Sequence, residues 1–242
     1  MRFMVMHKVD AKMEAGAPPD QRIVEHMGAL VQGSLKDGTF ITGAGLHRSA
    51  KRVRVKRAGG NVSVQHGPYA GENELLTSYA MIKVPSLEAA LPHVQAFVLA
   101  GESDEVEVGP VVEPWDIGVM PKPPGNLPVQ LLLLSKGNAE LESGAASPGR
   151  RAAALGVLSA SLGDNGALLA SGALLASSQG KRSAPSAGKR TWVDGPFAES
   201  KELIAGFSVL ERPSLADAIA WADRYGAILT DSEIDVRELL ES

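Results

Sequence analysis

Chemistry in this chain must come from histidine, carboxylates, hydroxyls and amines, because the sequence contains no cysteine. That removes disulfides, zinc–thiolate and iron–sulfur sites and a thiol nucleophile. Five histidines are present, His7, His26, His47, His66 and His93, and all lie in the first half. Imidazole titrates near neutrality, which suits general acid–base work. No two of them have the H-x-H or H-x-x-x-H spacing of a metal site, so no metal is expected. His26 is the first candidate, with Asp37 at the end of the same helical segment. The stretch between them covers about 16 Å of helix axis, so a direct pair requires Asp37 to fold back. Nothing indicates a cofactor. The segment from Gly38 to Gly45 lacks G-x-G-x-x-G and leads into a basic hairpin rather than a helix.

The elements that must position these groups occur twice. Shifting the sequence by 128 residues lays 3–113 on 131–241 without a gap, and 25 of the 111 pairs are identical. The matches concentrate at turns, where residue type is most constrained. Gly67-Pro68-Tyr69-Ala70 falls on Gly195-Pro196-Phe197-Ala198, Glu74-Leu75 on Glu202-Leu203, and Pro85-Ser86-Leu87 on Pro213-Ser214-Leu215. We therefore expect a first unit at 1–113, a proline-rich, stiff and extended connector at 114–128, and a second unit at 129–242.

Each unit shows the same run of elements. Apolar runs at 3–6 and 130–134 read as buried strands. The spacing of Ile23, Met27, Leu30, Val31 and Leu35 predicts a helix capped by Asp20 and stopped at Gly38, repeated at 148–162. Strands follow at 39–46 and 167–175, then hairpins at 53–65 and 180–193, then strands at 76–84 and 204–211. Ser86 and Ser214 read as N-caps of a second helix, and Pro92 predicts that the first of these is kinked or starts late. The order is β-α-β-hairpin-β-α-β, an α+β sandwich whose bare sheet face is hidden by packing on its twin.

The segment from Val193 to Phe207, VDGPFAESKELIAGF, resembles the signature of the YCII-related proteins of the DGPF type, and residues 65–79 carry a degenerate form. The resemblance implies two tandem ferredoxin-like repeats forming an intramolecular, pseudo-dimeric α+β barrel, as a monomer or a homodimer of it. It further implies a small-molecule-binding protein of undefined activity, with acid–base chemistry from His26, Asp37 and His66. Tyr69, Asp194, Phe197, Glu199 and Lys201 are then expected to contact the ligand, with His66 and Asp194 facing each other if the motif loops meet. The other implied role is a non-catalytic interaction module near transcription initiation.

Two further expectations concern surroundings. Arg48 to Arg57 holds six basic residues in ten, with Arg52, Arg54 and Lys56 on one face of a strand. We read this as a solvated hairpin edge charged against aggregation, in preference to a contact for nucleic acid or an acidic protein. The net charge of -4 argues the same way. No secretory h-region or membrane span is apparent, so a cytoplasmic location is expected.

Overall fold

A computed structural model turns these periodicities into strands and helices. It describes all residues except 73, 102, 144–147, 164–165, 187–188, 198–202, 231 and 241–242. The first repeat contains β1 (Arg2–Lys8), α1 (Ala11–Glu14), α2 (Gln21–Lys36), β2 (Phe40–Gly45), β3 (Val53–Ala58), β4 (Asn61–His66), β5 (Leu76–Val84), α3 (Leu87–Ala100) and β6 (Glu105–Pro110). The second contains β7 (Val129–Lys136), α4 (Ala139–Glu142), α5 (Pro148–Leu162), β8 (Ala167–Ala173), β9 (Lys181–Ser186), β10 (Lys189–Asp194), β11 (Ile204–Glu211), α6 (Leu215–Leu229) and β12 (Ile234–Glu238).

Local chemistry sets the helix ends. Asp20 accepts the Arg22 N–H at 2.8 Å and starts α2. Gly38, at a φ of 75° that side chains disfavour, follows its last turn. The Ser86 and Ser214 hydroxyls accept the N–H groups of Ala89 and Asp217 and start α3 and α6. Helix α3 begins directly behind its cap and runs through Pro92, so the late start does not occur. The carbonyl that this proline strands belongs to exposed Glu88, where water can reach it.

The strands form two six-stranded antiparallel sheets. Their orders are β10-β9-β12-β1-β11-β2 and β4-β3-β6-β7-β5-β8. Neither repeat builds its own sheet. The opening β-α-β segment of each repeat, β1 to β2 and β7 to β8, sits in the sheet that carries the other repeat's remaining strands. β1 and β7 consequently become central strands, each paired on both sides. Their apolar runs suit this place, since Phe3 to Met6 and Leu131 to Leu134 are buried on both faces.

The sheets are stacked in four layers. Helices α3 and α5 cover one outer face through Val94, Phe97, Ala154 and Leu158, which pack on Val53, Ile82, Val106 and Leu131. Helices α2 and α6 cover the other, where Trp221 and Tyr225 pack on Phe3, Val5 and Val236. Between the sheets lie Met4, Met6, Phe207 and Val209 from one and Tyr79, Met81, Leu132 and Leu134 from the other. The expected burial of paired sheet faces is therefore present.

Matched hydrogen bonds stitch the sheets at two corners. His47 N–H donates to the Pro110 carbonyl and Val112 N–H to that of Gly45. At the other corner, Leu175 N–H donates to Glu238 and Leu240 N–H to Ala173. These are single bridges, Leu46 to Val111 and Leu174 to Leu239, rather than ladders. The hairpin strands β4 and β10 remain sheet edges, and no closed barrel is seen among the described residues. The connector is not fully extended either. It turns at 114–118, where Val119 N–H donates to Pro114 and the Asp116 carboxylate takes the His47 ring at 3.1 Å.

Candidate functional site

The basic strand β3 is not a solvated edge. Val53 and Val55 enter the core beneath α3, which turns Arg52 and Arg54 toward the inner side of the sheet. There they are only 1% and 2% exposed. Burial of two guanidinium groups requires compensating charge. Strand pairing supplies it, because β6 sets Glu107 opposite Arg54 and Glu105 opposite Lys56. Arg52 bonds Glu107 at 2.8 Å, and Arg54 bonds Glu74 at 2.5 Å and Glu107 at 3.3 Å. Lys136, from the central strand β7 of the second repeat, pairs with Glu74 and approaches Glu107 at 3.4 Å. Burial alone would raise the Glu107 pKa, but Lys136, Arg52 and Arg54 together hold it down at about 2.

The Gly-Pro-aromatic loop closes over this cluster. A Cβ on Gly67 would lie 1.8 Å from the Ser49 carbonyl oxygen, so only glycine fits there. Ser49 Oγ accepts the Tyr69 N–H at 3.3 Å, while the Ser49 N–H and hydroxyl donate to Glu14. The Tyr69 ring then lies over the Arg54 guanidinium, 4.1 Å from its carbon. Burial pushes the Tyr69 phenol well above its ordinary pKa. Downstream, Glu74 accepts the Glu72 N–H at 2.9 Å and ties the loop to Arg54 and Lys136.

The second repeat reproduces this assembly around Ser177, Phe197 and Arg182. A Cβ on Gly195 would meet the Ser177 carbonyl oxygen at 1.8 Å. Phe197 N–H donates to Ser177 Oγ at 3.1 Å, and the Phe197 ring lies 4.4 Å from the Arg182 guanidinium carbon. Asp235 binds Arg182 through two bonds, at 2.6 and 2.8 Å, and Lys8 at 3.2 Å. One arginine changes place. Arg52, just ahead of β3, packs across Gly109, whereas Arg237 on β12 packs across Gly180, the residue matching Arg52. Their Nε atoms donate to matching carbonyls, His47 at 2.5 Å and Leu175 at 3.0 Å.

Beside the first cluster opens a cleft of about 300 Å³, lined by Lys56, Glu72, Asp104, Glu105, Lys136, Gly137 and Asn138. The last three belong to the second repeat, so the cleft lies on the seam. Among the described residues, no apolar side chain lines it. At matching positions of the second repeat, Ala184 stands for Lys56 and Ser232 for Asp104.

The residues singled out from sequence scatter around this site. His26 is exposed on α2, and exposed Asp37 caps that helix and accepts the Thr39 N–H at 2.9 Å. Hydrogen bonds from the Thr39 side chain and backbone lower the Asp37 pKa. No hydrogen bond or ion pair joins it to His26. His66 ends β4, the outer strand of one sheet, and Asp194 ends β10, the outer strand of the other. Asp194 pairs with Lys181 on the neighbouring strand instead of with His66. Tyr69 and Phe197 serve as lids over arginines. Glu199 and Lys201 lie outside the described residues. Sequence reasoning missed Arg54, Glu74, Glu105, Glu107 and Lys136. Their signal was retention of charge sign at the 128-residue offset, in Arg182, Glu202, Glu233, Asp235 and Lys8.

The family model described as the YCII-related domain matches the chain twice, at residues 1–113 and 140–240. No curated protein and no solved structure matches the chain. Among the described residues, no helix is long and apolar enough to cross a membrane.

Proposed function

The chain belongs to the YCII-related family, and on that premise we propose that it binds one small polar molecule per chain at the seam of its repeats. The observation that carries this reading is the cleft of about 300 Å³, a volume at the lower end of ligand sites. Its walls come from both repeats, and buried Lys136 at its base is already oriented by Glu74 and Glu107. Such a preset wall loses little freedom when a ligand arrives. The same cleft supports a site near the motif loop but away from His26, Asp37 and His66. At finer grain, we read each sheet as a ferredoxin-like unit completed by its neighbour's opening segment, and the pair as an opened α+β barrel.

A thermal-shift screen of polar metabolites tests the proposal. A ligand at one hundred times its Kd adds about 2.7 kcal/mol, which raises Tm by roughly 5–10 °C for a chain of this size. Lys56→Met lines the cleft with an apolar side chain and is expected to abolish the shift without lowering the unliganded Tm. A screen without Lys56-dependent hits would favour the interaction module accessory to transcription.

A further inference from the structure

We propose that the occupant of the seam cleft is a free α-amino acid, held by its carboxylate and its ammonium together. This rests on the cleft being a binding site. Glu105 forms one wall, and its Oε1 faces Arg54 Nε at 3.4 Å. Both atoms are buried and neither has a hydrogen-bond partner. The remaining contacts of these side chains are spoken for. Arg54 Nη2 binds Glu74 and Glu107, and Glu105 Oε2 binds Lys56 at 3.1 Å. A buried donor and a buried acceptor thus face each other as an ion pair but without a hydrogen bond, a condition that native interiors avoid. The Glu105 side chain retains partial exposure to the cleft, so a turn of its carboxylate opens Arg54 Nε to an entering group.

The charges around this pair select the ligand. Lys136 is neutralised by Glu74 and Glu107, and Asp104 by Arg57 at 2.8 Å. Arg54 Nε and Lys56 share the single carboxylate of Glu105, so a turn of that side chain frees both to receive an anion, while Glu105 and the exposed Glu72 then receive a cation. A simple carboxylate would set its charge against Glu72 and Glu105, and a simple amine would set its charge against Arg54 and Lys56. An α-amino acid places opposite charges on one carbon unit, a spacing commensurate with the 3.4 Å between donor and acceptor. The absence of apolar lining side chains disfavours a ligand with a large hydrocarbon body.

Isothermal titration with each of the twenty common amino acids tests this, with propionate and ethylamine as alanine stripped of one charged group. We expect at least one amino acid to bind one per chain. Propionate and ethylamine should bind at least thirtyfold more weakly than alanine, or not measurably. Lys56→Met and Glu72→Gln, both at solvent-reaching positions of the cleft, should each weaken binding at least fivefold with unchanged far-UV circular dichroism. Single-charge analogues that match alanine would overturn the proposal, as would amino-acid binding indifferent to both substitutions. If a different metabolite saturates the cleft and depends on Lys56, the amino-acid assignment falls while the binding site stands. If nothing binds, both fall.

Discussion

The two charged clusters share a plan and differ in what surrounds it. In each, an aromatic from a Gly-Pro loop covers an arginine on a hairpin strand, a carboxylate on the closing strand neutralises it, and a lysine arrives from the other repeat's central strand. Even the second arginine is kept in place by a different route, from the turn leading into β3 in one cluster and from β12 in the other. Persistence of a guanidinium through a change of element indicates that the interior requires the charge more than it requires a particular residue position. The cleft, by contrast, has lost Lys56 and Asp104 at matching positions of the second repeat. Shared features therefore maintain the fold, and the proposed binding site is built from what the repeats do not share.

The sharpest way to break this comparison is to remove the central carboxylates. Glu107→Gln leaves Arg52, Arg54 and Lys136 without their common partner and should cost about 3–5 kcal/mol in urea denaturation. Asp235→Asn should cost less, because Asp235 is ion-paired with two cations, Arg182 and Lys8, where Glu107 is ion-paired with three. The reverse order would show that the second cluster is the main structural one.

Acid titration separates the halves by a different route. His7 is buried against Tyr225, whose hydroxyl lies 2.6 Å from His7 Nδ1, and burial lowers its pKa from 6.5 to about 4. The unfolded chain takes up this proton first, so stability falls as pH drops from about 6.5 to 4, by on the order of 3 kcal/mol. His7→Gln should flatten that window and leave the loss between about 4.5 and 2, where Glu107 titrates by the same sign. The matching residue of the second repeat is Ser135, which contributes no such slope. An unchanged pH profile in His7→Gln would refute the assignment.

The loops should respond alike. Gly67→Ala and Gly195→Ala each drive a methyl against a serine carbonyl, and each should cost about 1–3 kcal/mol by thermal denaturation, equal within error. Unequal costs would show that one loop is held less tightly than its twin. The smallest effect is expected at Asp194, whose side chain is 76% exposed beside Lys181. Asp194→Asn should change Tm by less than about 2 °C, since exposed ion pairs contribute little.

Most elements were legible because they depend on local order: apolar periodicity, serine and aspartate caps, and glycine at a helix end. The repeat was legible because turns tolerate few residue types. The exchange of opening segments was not, since a strand such as Leu131 to Leu134 has the same pattern whichever sheet receives it. The candidate site was hardly legible. Alternation of Arg52, Val53, Arg54 and Val55 describes an exposed strand and a covered one equally well, and only the carboxylates of β6 and the folded-over loop distinguish them. Histidines drew attention through their reactivity, yet His26 and His66 lie on the surface, while the charges that matter were hidden among common salt-bridge residues.

Because each sheet is laid around a strand donated from across the connector, cleavage within 114–128 would liberate no self-sufficient half. Either fragment alone would lack the central strand and one edge strand of its sheet, leaving β11 or β5 unpaired on both sides. A lone repeat would have to borrow the same opening segment from a second copy of itself, so the tandem chain holds within one molecule an exchange that single repeats would make as a dimer.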